Sequence, residues 1–150
     1  MLCPFCNHQE TKVVDSLAVA DGLSIRRRRE CLKCKARFST YEEVEILGLE
    51  VKKKDGTLQG YDKQKLERGL RIALEKRPVS GEEFRQLVSE IEQEIQKKAK
   101  ENKIASDDIG KIVISRLKKH DKVAYIRFAS VYQQFEDIDE FRKELQKLKT

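Results

Sequence analysis

The stretch SIRRRRECLKCKARFST, residues 24 to 40, decides how the first part of this chain must fold, because four consecutive arginines run straight into a CxxC pair. A second pair opens the chain in MLCPFC, so Cys3 and Cys6 face Cys31 and Cys34 across 24 intervening residues. That interval is slightly longer than is usual for a two-knuckle zinc site, but the chemistry fits. Zn²⁺ takes four soft ligands tetrahedrally at about 2.3 Å, and two CxxC turns supply four thiolates. A shell filled by thiolates leaves no position for water, so one structural Zn²⁺ is expected. The competing reading is a pair of redox dithiols or plain buried thiols. His8 is a spare nitrogen donor near the first pair, expected at the surface because four thiolates suffice.

The segment between the pairs has strand character. TKVVDS (11 to 16), a loop at Asp21-Gly22, SIRRRREC (24 to 31) and RFSTYEEVE (37 to 45) together describe a zinc ribbon. A module of about 45 residues buries too little apolar surface to fold unaided, so metal binding would supply most of its stability. Alternation on the strand puts Arg26 and Arg28 on one side and Arg27 and Arg29 on the other, with about 6.6 Å between members of a pair. No core can bury either side. Guanidinium groups fork onto phosphates and onto guanine O6/N7, whereas lysines offer only point charges, so the four arginines point to nucleic acid. Lys33, Lys35 and Arg37 extend the basic patch. The bland alternative is a solvated charged strand.

Composition agrees with a two-part chain of 150 residues. Charged and apolar residues each make up 39%, which suits a modest helical core with a heavily solvated surface. The formal net charge is +6, but residues 1 to 45 hold 8 Lys and Arg against 7 Asp and Glu, so the local arginine run matters more than the sum. No apolar run approaches the roughly 20 residues of a membrane span, and the N-terminus lacks a basic segment followed by an apolar one. A soluble, cytoplasmic protein with no membrane partner is expected.

Beyond residue 46 the pattern changes. GLEVKKKDGTLQGYD reads as a β-hairpin turning at Asp55-Gly56. Asp62 can cap a helix whose stripe is Leu66, Leu70, Ala73 and Leu74, ending before Pro78. Ser80 and Glu83 form a capping box ahead of Phe84, Leu87, Val88, Ile91 and Ile95. Ser106 starts a third helix with two acids in its first turn, Asp121 a fourth running through Phe135, and a fifth carries Phe141, Leu145 and Leu148. Lys52, Lys53 and Lys54 at the hairpin tip, with Lys65 one turn into the next helix, form a cluster able to hold a triphosphate by charge; a solvated turn is the alternative. There is no GxxxxGK[ST] loop and no constellation of base and nucleophile, so no catalytic residue is assigned and an enzyme is not expected.

CPFC, IRRRREC, RFSTYE, EKRPVS and VAYIRFASVYQQFED together resemble the NrdR family of transcriptional repressors, over nearly the whole chain. The resemblance implies an α+β chain: a small β-rich zinc ribbon that binds DNA (1 to 45), a mainly helical ATP-cone domain with an N-terminal β-hairpin (46 to 136), and a C-terminal helix (137 to 150). Carried onto this sequence, Val51, Lys53 and Lys54 would line the adenosine and phosphates, Gln59 would stand near the base, and Lys65 would reach the phosphates. Tyr125 and Tyr132, seven residues apart, would border the nucleotide or a subunit contact, unless they pack in the core. Implied partners are double-stranded operator DNA upstream of ribonucleotide reductase operons, ATP and dATP with Mg²⁺ as companion, and further copies of the chain in a homo-oligomer. Asn7 and Lys35 stand where the family has glycine after each knuckle, and Leu17 where it has arginine. A zinc-ribbon adaptor that binds protein through its arginines is the rival reading.

Overall fold

The computed structural model describes residues 1–19 and 22–149; Asp21 of the expected loop and Thr150 of the expected last helix lie outside the described residues. The chain divides into two units, Met1–Glu45 and Ile46 onward, each with its own architecture.

The first unit is a three-stranded antiparallel sheet in the order β1-β2-β3, formed by β1 (Thr11–Val19), β2 (Ser24–Cys31) and β3 (Arg37–Glu43). A bulge between Val13 and Asp15 shifts the β1 register by one residue, so Val13 faces Arg29 and Asp15 faces Arg28. Only Cys3, Val19, Ser24 and Cys31 are buried among its described residues. Hydrophobic burial scales with apolar area removed from water, and two thiols and a valine remove very little. The fold is held by its sulfur cluster and strand pairing rather than by a core.

The second unit carries a core of its own. β4 (Glu50–Lys52) pairs antiparallel with β5 (Leu58–Gly60) and parallel with β6 (Lys103–Ala105), in the order β5-β4-β6. The hairpin tip closes as its sequence requires. Gly56 adopts φ +87°, its amide bonds Lys53 O at 2.9 Å, and Asp55 accepts from the Thr57 amide and hydroxyl. Five helices follow: α1 (Lys63–Ala73), α2 (Gly81–Lys98), α3 (Ser106–His120), α4 (Lys122–Tyr132) and α5 (Ile138–Gln146). Asp62 caps α1 through the Gln64 and Lys65 amides, Ser80 and Glu83 form the full capping box of α2, and Asp121 caps α4 through Val123 and Ala124. Leu70, Val88, Ile91, Ile95, Val113 and Leu117 are fully enclosed at the centre. The whole is an α+β chain.

Two elements differ from the sequence expectation. β6 is absent from it, because three residues with one buried side chain, Ile104, carry no readable period. α4 stops at Tyr132 and does not reach Phe135: Gln134 takes a left-handed φ of +49°, which breaks the helix and redirects the chain toward α5.

Candidate functional site

The two knuckles are copies of one local geometry. Asn7 N bonds Cys3 O at 2.9 Å and Cys3 N bonds His8 O at 2.9 Å; Lys35 N bonds Cys31 O at 3.1 Å and Cys31 N bonds Ala36 O at 3.0 Å. Each turn ends on a left-handed residue, Asn7 at φ +55° and Lys35 at φ +61°. This backbone explains why glycine suits both places; Asn bears it easily and Lys at a small cost.

The turns bring all four sulfurs together. Cys3 Sγ lies 3.6 Å from Cys34 Sγ and Cys6 Sγ 3.6 Å from Cys31 Sγ, and every pair is within 4.8 Å. A tetrahedron with bonds of about 2.3 Å has edges of about 3.8 Å, so a zinc ion fits this cage. None of the cysteines is in a disulfide, and His8 is not among the clustered donors. For Cys31, burial opposes ionisation, but the Cys34 and Lys33 amides outweigh it and bring the thiol down to about 6. For Cys34 the Ala36 amide favours the thiolate, yet burial and the three neighbouring sulfurs push it up to about 12. A dication held among the four sulfurs would favour their thiolate form.

The arginine strand lies at the centre of the sheet, between β1 and β3. Arg27 gives Nε and Nη2 to Glu42 at 3.0 and 2.9 Å and Nη1 to Ser16 at 3.3 Å. Arg29 reaches Thr40 and Thr11 hydroxyls, each at 3.4 Å. Arg37 and Lys12 both pair with Glu30, at 3.1 and 3.2 Å, and hold its carboxyl below the usual range. Arg28, Lys33, Lys35 and Arg37 are exposed and Arg26 is half-buried.

In the second unit a cavity of about 460 Å³ opens between the hairpin and helices α1, α3 and α4, within the roughly 300–1,000 Å³ typical of small-molecule sites. Val51, Lys53, Gln59, Lys65 and Tyr132 all line it, and an adjoining recess adds Lys54. The polar end gathers Lys53, Lys54 and Lys65, with Asp55, Asp62 and Asp107 beside them. Lys53 and Lys65 meet Ser106, the first residue of α3, whose N-terminal amides have no side-chain cap. Uncapped amides at the positive end of a helix dipole suit an anion. Lys54, largely exposed, reaches Asp107 at 3.8 Å. The other end is apolar, with Leu66, Ile109 and Phe128 in the wall.

Tyr125 is not part of this site. Its ring is buried in the core and its hydroxyl donates to Glu144, and burial and that carboxylate push it up to about 12. Tyr132 does face the cavity: it stacks on Phe128 at 6.0 Å between centroids and donates to Asp107 O at 3.0 Å. Burial and Asp107 raise its hydroxyl, so it remains a donor. Sequence reasoning missed Phe128, Ser106 and Gly110 in the lining. Gly110 had a signal, since an isolated glycine inside a good helix calls for a packing reason. That reason is Tyr132, because a Cβ on Gly110 would fall inside its ring.

Fold and sites together define the class: a zinc ribbon joined in one chain to an ATP cone. Residues 1–42 match the family model described as the N-terminal domain of transcriptional repressor NrdR-like proteins, and residues 49–138 match the ATP cone domain. The chain belongs to the NrdR family of transcriptional repressors. Proteins named transcriptional repressor NrdR from Petrotoga mobilis (48% identical over 149 residues, 99% of both chains), Carboxydothermus hydrogenoformans (49% over 148 residues, 99% of this chain and 96% of that one) and Acetivibrio thermocellus (50% over 148 residues, 99% and 97%) are among its relatives. No described helix is long and apolar enough to cross a membrane.

Proposed function

We propose that this chain is a nucleotide-responsive repressor that binds double-stranded operator DNA upstream of ribonucleotide reductase operons through its zinc ribbon, with ATP or dATP in the cone setting its oligomeric state. The observation that carries the reading is the meeting of Lys53, Lys65 and the uncapped start of α3 at one end of a cavity whose other end is aromatic and apolar. A triphosphate needs the first and a base the second. Val51 and Gln59 lie on facing strands in its wall, where a purine would sit, and Lys54 extends the charge outward, with Mg²⁺ accompanying the phosphates.

Cys3, Cys6, Cys31 and Cys34 would hold one Zn²⁺, which supplies structural rigidity and no reaction. Arg26 to Arg29, with Lys33, Lys35 and Arg37, form the cationic surface of the ribbon. One ribbon covers few phosphates, so useful affinity comes from several ribbons tethered in one assembly. A nucleotide that favours one assembly over another then gates DNA binding, because a ligand shifts an equilibrium only by its differential affinity for the two states. The function is regulatory, in keeping with the repressor name its relatives carry.

Isothermal titration of the zinc-loaded chain with ATP and dATP, paired with sedimentation velocity in each state, tests the nucleotide half. Saturable binding that changes the sedimenting species is expected. Absence of binding to either nucleotide would refute the cone assignment.

A further inference from the structure

The two sides of the arginine sheet are not equivalent. Strand register places Arg26 between Leu17 and Tyr41, and Arg28 between Asp15 and Ser39, on one face; Arg27 lies between Ser16 and Thr40, and Arg29 between Val13 and Phe38, on the other. On the second face the guanidiniums are engaged within the sheet. Arg27 spends two nitrogens on Glu42 and a third on Ser16, spanning β1, β2 and β3, and Arg29 is held by Thr11 and Thr40. On the first face, among the described residues, neither Arg26 nor Arg28 has an ion pair or a side-chain hydrogen bond. Asp15, opposite Arg28, accepts from the Ser16 amide at 2.9 Å and makes no ion pair with Arg28.

An arginine without an internal partner keeps its whole fork for an outside acceptor, and a fork already closed on a carboxylate must lose that pairing to bind another. The open face also carries exposed Leu17 and Tyr41 on either side of Arg26. Aliphatic and aromatic surface beside a free guanidinium matches a duplex base edge: the fork takes guanine O6 and N7, and the apolar flank takes a thymine methyl.

We infer that the ribbon meets duplex DNA with the Leu17, Arg26, Arg28 and Tyr41 face, whereas Arg27 is a positioning residue that ties the three strands together through Glu42 and Ser16. This rests on the DNA-binding reading above and assigns its contact surface. The face has one occupant, duplex DNA, chosen by two guanidiniums that have no internal partner among the described residues and by the apolar flank beside them; Asp15 and Glu43 share the face at its edges.

The test uses the full zinc-loaded chain with nucleotide, and two fluorescein-labelled duplexes: the sequence upstream of a ribonucleotide reductase operon and a shuffled copy of it. Arg26→Gln with Arg28→Gln should weaken operator binding roughly tenfold or more, the worth of a lost bidentate base contact, and bring the operator and shuffled affinities together. Arg27→Gln should weaken operator and shuffled binding alike, by less than the Arg26 and Arg28 change, and leave the operator preference in place, because it removes a charge but no base contact. Leu17→Ser should lower the operator preference while leaving shuffled binding in place. Phenylglyoxal footprinting of the unaltered protein gives a reading that needs no variant to fold: DNA should protect Arg26 and Arg28 above Arg27. Protection or loss of affinity centred on Arg27 and Arg29 would overturn the face assignment and leave DNA binding standing. An unaltered chain that binds neither duplex in any nucleotide state would overturn the DNA reading itself.

Discussion

Gly110→Ala should weaken nucleotide binding and lower stability, against what helix propensity alone predicts. Gly110 lies in the interior of α3, where alanine is ordinarily better by roughly 0.5–1 kcal/mol. Here the new methyl would occupy the Tyr132 ring, touching Cζ, Cε2 and the hydroxyl. The ring must leave its seat, giving up the hydrogen bond to Asp107 O, worth about 1 kcal/mol, and the Phe128 stack, worth about 0.5–1.5 kcal/mol. Set against the propensity gain, the net cost is about 1 kcal/mol, or a few degrees in Tm for a unit of this size. Because Tyr132 lines the cavity, nucleotide affinity should fall about tenfold. The decisive comparison is a double-mutant cycle. In a Tyr132→Ala background the methyl has room, and Gly110→Ala should become stabilising by roughly 0.5–1 kcal/mol. Helical circular dichroism during denaturation reports the second unit, since all five helices lie there. If Gly110→Ala is stabilising in the parent and leaves ATP affinity unchanged, Tyr132 is not seated on Gly110 and the cavity wall is wrongly drawn.

Lys65→Ala should reduce ATP affinity by roughly 10–100-fold, the worth of a charge-assisted contact, whereas Tyr125→Phe should leave it unchanged and cost about 1 kcal/mol of stability through Glu144; calorimetric titration and melting of both variants separate the two tyrosines' roles. Burial alone would raise the Asp121 carboxyl, but the Ala124 amide and Arg77 outweigh it and hold it low, so the stability it contributes is present above the ordinary carboxylate value of about 3.9 and is lost as pH falls through the depressed folded value. Asn still caps α4, so Asp121→Asn should lower stability at neutral pH by about 1 kcal/mol through the lost Arg77 pair and flatten the acid limb of a stability-versus-pH curve. Removing zinc with a chelator should abolish amide protection in β1 to β3 while leaving the helical signal, because the first unit has almost no apolar core to fall back on.

What could be read from the sequence was what local chemistry decides. The caps at Asp62, Ser80 and Asp121 and the turn at Gly56 each depend on a few adjacent residues, and the CxxC pairs announce their joint role through ligand type and spacing. β6 could not be read, because its partner β4 lies some fifty residues earlier and its own three residues form no pattern. The two tyrosines show the same limit. Seven residues on a helix put Tyr125 and Tyr132 on nearly one face, yet α5 brings Glu144 over Tyr125 while α3 offers Tyr132 the notch at Gly110. Alternation separated the arginines into two faces. Which face was engaged depended on Glu42, Ser16 and the hydroxyls of Thr11 and Thr40, and so on a register set partly by the bulge after Val13.

The central claim is that nucleotide in the cone controls DNA binding by the ribbon. Fluorescence anisotropy of a labelled duplex from upstream of a ribonucleotide reductase operon, titrated with the zinc-loaded chain plus ATP, plus dATP or with neither, tests it directly. The account predicts operator-specific binding whose affinity differs between nucleotide states by roughly 5–150-fold, the usual span of a coupling between two sites. Equal affinity in all three conditions, or binding in none, would contradict it.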